Sequence, residues 1–124
     1  MSNQIFQILK DLPIAISQSQ CVLHKDEILI CGSLDDSNCY SYHTLKSEYK
    51  FICEYPSNVT LIGHCVVKLV DSSKSSNQIT LLSFGGLKKH TLIMKYVSVW
   101  SDDNNENKMN KSKELKKADN CNQW

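Results

Sequence analysis

Long apolar runs are what this sequence most lacks: nowhere do about 18 apolar residues follow one another, the length that a membrane-crossing helix requires. Its opening stretch, MSNQIFQILKDLP, has neither the basic start nor the apolar core of a secretory signal. The expectation is a cytoplasmic, soluble protein with no membrane partner. An excess of charge is missing as well. With 14 Lys+Arg against 13 Asp+Glu, the net charge of +1 creates no field that would gather nucleic acid, so any partner has to be recognised by local contacts. Closely spaced cysteines are absent too. The six lie at 21, 31, 39, 53, 65 and 121, and the shortest separation is the eight residues from Cys31 to Cys39. Zinc-binding pairs stand only about two to four residues apart. Cys21, Cys31, Cys53 and Cys65 sit in or beside apolar stretches, where a reduced thiol behaves as a small hydrophobe. Free thiols, with no metal and no cofactor, are expected.

Helical periodicity is scarce, and short β-branched and aromatic runs bounded by Gly, Pro, Asn, Asp and Ser take its place. The pattern predicts an all-β chain with strands over Ile5–Leu9, Cys21–His24, Ile28–Cys31, Cys39–His43, Tyr49–Cys53, Cys65–Val70, Ile79–Phe84 and Leu92–Trp100. Turns are expected at DDSN (35–38), KSE (46–48), YPSN (55–58), DSSKSSN (71–77) and GGLKK (85–89). The apolar share of 41% suffices for a soluble core.

The chain also repeats itself. Leu12-Pro13 returns as Tyr55-Pro56 after 43 residues, and Cys21-Val22 returns as Cys65-Val66 after 44. EILICG (27–32) matches QITLLSFGG (78–86) once the longer DSSKSSN loop is allowed for, and Tyr40-Ser41-Tyr42 corresponds to Met94-Lys95-Tyr96. A period of about 40 to 50 residues holding four short strands is the signature of a propeller blade. Inner strands of such a blade are packed on both faces, so they read as continuous apolar runs, as Ile28–Cys31 and Ile79–Leu82 do. The outer strand is wetter, and Tyr49, Phe51 and Cys53 alternate accordingly.

These features resemble the kelch repeat, a β-propeller family whose blades carry a Pro before the first strand, a Gly doublet after the second, and a Tyr then a Trp around the third and fourth. The matching positions are Pro13, Cys31-Gly32, Tyr42 and Tyr49 in one copy. In the next they are Pro56, Gly85-Gly86, Tyr96 and a tryptophan, with His64 at the family's common His, opposite Gln20. The match covers about residues 4–100. Gly32 lacks a glycine partner, Tyr49 stands where a Trp is usual, and the family's Arg ahead of the first strand is missing from both copies.

The resemblance implies a division into an outer strand of a preceding blade (1–11), a first blade (12–56) and a second blade without its outer strand (57–100). Residues 101–124 change character, with five acidic and five basic residues and almost no apolar ones. Such composition predicts a disordered loop. The loop ends in Asn122-Gln123-Trp124, which resembles the start of a kelch outer strand cut off after its Trp124. Propellers close with about four to eight blades. Two blades therefore imply a fragment, completed by further blades in a longer parent chain or in other chains.

Catalytic chemistry finds little support. SFGGLKKHT (83–91) has Gly, Lys and Thr after a strand but not the phosphate-loop spacing, and it leads into another strand, so it reads as a turn. His24, His43, His64 and His90 have no Ser, Cys or carboxylate at a spacing that proposes a triad or a metal set. His64-Cys65 is discounted because adjacent strand residues point to opposite faces. Asn58-Val59-Thr60 and Asn110-Lys111-Ser112 match glycosylation sequons, which carry no weight without secretion.

The resemblance therefore implies a protein–protein interaction scaffold and not an enzyme, with an unidentified protein partner. A galactose-oxidase-like propeller enzyme is the catalytic alternative, and its copper ligands would have to come from other blades. A nonfunctional gene fragment is the other. The loops expected to meet a partner are Ser33–Asn38, Leu87–His90 and Ser57–Ile62. Asp35 and Asp36 on the first, and Lys88, Lys89 and His90 on the second, are the candidate contact residues.

Overall fold

A computed structural model describes residues 8–70, 77–101 and 120–124. The described residues form seven strands and no helix, so none is long and apolar enough to cross a membrane. Strands β1 (Gln20–His24), β2 (Glu27–Cys31), β3 (Asn38–His43) and β4 (Glu48–Glu54) make one antiparallel sheet in the order β1-β2-β3-β4. Strands β5 (His64–Leu69), β6 (Gln78–Gly85) and β7 (His90–Val97) make a second in the order β5-β6-β7. Short hairpins join β1 to β2, β2 to β3, β3 to β4 and β6 to β7, as antiparallel neighbours allow.

Seven expected strands are present within a residue or two of their expected ends, with one informative exception. The last was expected to reach Trp100 and stops at Val97. The Asn122 side chain fills the hydrogen-bonding sites of Val97, accepting from its N–H (2.8 Å) and donating to its carbonyl (3.0 Å). Beyond it, Val99 N–H turns back to the Tyr96 hydroxyl (3.3 Å), and Trp100 is buried with Nε1–H donating to Ser41 Oγ (2.9 Å). The eighth expected strand, at Ile5–Leu9, falls largely outside the described residues, and Ile8 and Leu9 are not in a strand. The DSSKSSN loop, apart from Asn77, and the polar stretch 102–119 also lie outside them.

The sheets meet face to face along one seam. From the first come Val22, Leu29, Cys31, Cys39, Ile52 and Cys53; from the second come Val66, Ile79, Leu81, Met94 and Tyr96, with Tyr55 and Leu61 from the connection between them. The strands that approach most closely across the seam are β1 and β5, so the sheets fan outward from their first strands. Val22 and Val66, aligned in the sequence repeat, thus point toward each other rather than in one repeating direction. The tyrosines keep their pairing, Tyr42 opposite Ile28 and Tyr96 opposite Ile79.

The seam leaves one face of each sheet outside. The outward face of the first exposes Leu23 and Phe51, and that of the second exposes Val67, Leu69, Phe84 and Ile93.

Candidate functional site

Three loops converge at one end of the sheets. The loop after β2 is built by its own side chains: Ser33 N–H donates to the Asp36 carbonyl (2.7 Å), and Asp36 N–H donates to Ser33 Oγ (3.0 Å). The Asp36 carboxylate accepts from Asn38 N–H at 3.1 Å and from the Tyr40 hydroxyl at 3.4 Å. Short polar side chains bonding the backbone a few residues away are how Ser and Asp set turns. Asp36 therefore shapes the loop, and Asp35 is left exposed beside it.

The connection between the sheets, residues 57–62, lies alongside. Leu34, Asp35, Asp36, Thr60 and Ile62 help to line a shallow groove of about 300 Å³ between these two loops. The β6–β7 loop closes on the other side of the connection. Gly86 sits at φ 73°, and a Cβ there would come within 2.8 Å of the Thr60 carbonyl oxygen, so only glycine fits. Lys88 and Lys89 project into solvent from this loop. The result is a neutral central loop with an acidic loop on one side and a basic loop on the other.

His90 is placed differently from its lysine neighbours. It opens β7, and its ring turns inward, with Nε2 2.9 Å from Ser83 Oγ, which in turn accepts from the Tyr55 hydroxyl at 2.8 Å. Burial, then the neighbouring His64, lowers its pKa below the usual histidine value. Burial also pushes the Tyr55 hydroxyl well up. His64 is buried, with Nε2 3.0 Å from the Cys31 carbonyl and Nδ1 3.2 Å from that of Leu61, so its ring ties β2 of one sheet to the connection leading into the other. Cys65 is partly exposed, on the opposite face of β5.

The repeat positions serve this packing. Pro13 and Tyr49 lie together beside the N-terminal segment, where the Tyr49 hydroxyl donates to the Lys10 carbonyl (3.2 Å) and the ring packs on Tyr42 with centroids 4.6 Å apart. Gly32 takes φ 63°, and a Cβ there would press on the Leu61 and Tyr55 side chains. Pro56 accepts from Val59 N–H to turn the connection (3.0 Å), and Gly85 takes φ 87° just before Gly86. Trp124 stacks on Tyr55 at 4.7 Å and donates from Nε1 to Cys39 Sγ at 3.3 Å.

At the opposite end lies a second polar centre that residue spacing does not announce. Glu27, buried at the start of β2, accepts from Ser41 Oγ (2.7 Å) and from the Tyr96 hydroxyl, which crosses the seam to reach it. Burial first, and then Glu27, raises the Tyr96 pKa above its usual value. His24, buried nearby with no partner for Nδ1 among the described residues, has its pKa lowered by burial and then by Lys68. A groove of about 340 Å³ lies over this network. Its only sequence signal is a carboxylate directly ahead of an apolar run, which also describes many exposed strand ends. Among the described residues, no three His, Cys, Asp or Glu side chains are placed to hold a metal ion.

No family model, no curated protein and no solved structure matches this chain.

Proposed function

We propose that the two sheets are adjacent blades of a kelch-type β-propeller, and that the chain acts as a protein–protein interaction scaffold through the loops gathered at one end. The observation that carries this reading is the outward apolar face on each sheet, at Leu23 and Phe51 on one and at Val67, Phe84 and Ile93 on the other. Blades in a ring bury both faces, so faces of this composition suit sheets that expect a neighbour on each side. The fanning from β1 and β5 and the kept pairing of Tyr42 and Tyr96 support the same arrangement. Asn122, bonded to β7, supports reading residues 120–124 as the start of a fourth strand for the second sheet. The neighbouring blades belong to a longer parent chain or to further chains.

The partner is a folded protein or peptide with charges of both signs, suited to the acidic Asp35 and the basic Lys88 and Lys89 on either side of the neutral loop. A photo-crosslinking residue placed at Asp35, and separately at Lys25 in the β1–β2 turn at the far end, tests this in cells that express the protein. Crosslinks to one defined partner from position 35 and not from position 25 are expected. Equal capture from both ends would remove the support for a binding end.

A further inference from the structure

Cys31, Cys39 and Cys53 stand side by side on three strands. Cys31 pairs with Cys39 across β2 and β3, and Cys39 with Cys53 across β3 and β4. All three are buried free thiols. The hydrogen-bond alternation of antiparallel strands distinguishes the two pairs. Gly32 N–H donates to the Asn38 carbonyl (3.1 Å), which makes Gly32–Asn38 a hydrogen-bonded pair. The next pair along, Cys31 with Cys39, is then of the non-hydrogen-bonded kind, with Cα atoms about 4.5 Å apart and side chains close. Disulfides span Cα separations of about 4.4 to 6.8 Å. By the same rule the bond from Tyr55 N–H to the Ser37 carbonyl (2.9 Å) makes Cys39–Cys53 the wider, hydrogen-bonded kind, and a bulge follows it directly. Cys53 also has a second acceptor, Met94 Sδ, at 3.7 Å.

Donors converge on the Cys39 sulfur. Hydrogen bonds from Cys31 first and Cys53 next hold its thiol well below the ordinary cysteine range, with help from the Trp124 indole (3.3 Å) and the Gly32 amide, although burial opposes them. The hydrogen bond to Cys39, and then burial, push Cys31 up. The Cys39 sulfur thus receives several donors, with the Cys31 thiol beside it on the close, non-hydrogen-bonded pair. Cysteines that served only as hydrophobic filler would need no such convergence. Trp124 covers the cluster, and the segment that carries it is held to β7 through Asn122, whose N–H donates to the Lys95 carbonyl (2.8 Å) and whose side chain bonds Val97. Cys39 is fully buried, so a reagent reaches it when that short segment lifts.

We propose that Cys39 is an oxidation site at which a hydroperoxide drives closure of a cross-strand disulfide with Cys31. The Cys39 thiolate attacks the distal peroxide oxygen; an S–O bond forms, the O–O bond breaks, and the departing oxygen takes a proton and leaves as water or alcohol. The Cys31 sulfur then attacks the Cys39 sulfenic acid. An S–S bond forms, the S–O bond breaks, and the Cys31 proton leaves with the hydroxide as water. The two thiols lose two electrons and the peroxide gains them.

The test treats the full-length, folded chain with hydrogen peroxide, alkylates remaining thiols under denaturing conditions, and maps tryptic peptides without reduction. Cys31 and Cys39 share the peptide 26–46, while Cys53 and Cys65 share 51–68. The 26–46 peptide should appear unalkylated and lighter by two hydrogens, forming at least about tenfold faster than thiols are lost at exposed Cys21 or at Cys65. Cys31→Ser should instead leave a Cys39 sulfenic acid that dimedone captures. The wild-type map decides the matter even if that variant fails to fold. Oxidation confined to Cys21, Cys65 and Cys121, or a disulfide joining 26–46 to 51–68, would overturn the proposal.

Discussion

In the first sheet the outer edge of β3 is covered by β4 along six paired residues; in the second, the same edge of β7 meets, among the described residues, the short segment around Asn122. The inner parts of the sheets are closely alike. Leu29 and Leu81 are fully buried at their centres, and Tyr42 and Tyr96 hold corresponding places on their third strands. Burial at the seam involves all four strands of the first sheet, β4 through Ile52 and Cys53, and the three strands of the second. The tyrosines show a second contrast. Tyr96 faces the other sheet and finds Glu27, whereas Tyr42 faces outward and its buried hydroxyl has no partner among the described residues.

The largest effect should come from the shared core. Leu29→Ala and Leu81→Ala should each cost about 2 to 5 kcal/mol in urea unfolding, because each removes a fully buried side chain. A single transition in both variants would show that the sheets unfold together; loss of the second sheet alone in Leu81→Ala would separate them.

The tyrosine pair sharpens the comparison at a smaller scale. Tyr96→Phe should cost about 1.5 to 3 kcal/mol, since its hydroxyl bonds a charged acceptor. Tyr42→Phe should be near neutral or stabilising, because its hydroxyl is buried with no partner among the described residues. Equal costs in chemical denaturation would erase the distinction drawn between the seam and the outward face.

A weaker dependence on pH follows from the histidines. Burial holds His24 and His90 below the usual value of 6.5, so the unfolded chain binds protons more readily than the folded one. Stability should be fully present above that value and fall as pH drops through it toward the lowered values. The urea midpoint at pH 5.5 should therefore lie below that at pH 7.5, and His90→Gln should reduce the difference.

Strand positions were legible in the sequence because β-branched and aromatic runs are bounded by turn residues, and Gly86 and Pro56 punctuate as expected. The faces were harder to read. Val22 and Val66 align in the sequence repeat, where corresponding residues should face the same way round, yet both lie in the one core between the sheets. Asp35, Lys88 and Lys89 could be assigned to loops from composition, and their convergence required Gly86 against Thr60, a contact between distant segments. Glu27 was invisible as a buried group because its partners Ser41 and Tyr96 lie 14 and 69 residues away. His90 looked like part of a basic loop until the tight turn after Gly86 rotated it toward Ser83.

The central claim, that the second sheet is the first without its fourth strand, is tested most directly by amide hydrogen exchange on the intact chain, comparing β3 (38–43) with β7 (90–97). Backbone amides alternate in direction along a strand, so half of those in β7 face the open edge, and Ile93 is on the same side as the bonded Val97. The account predicts fast exchange at Ile93 and Thr91, slow exchange at Val97, and slow exchange throughout β3. Protection of Ile93 equal to that of β3 would mean that another strand already covers the edge, and would contradict it.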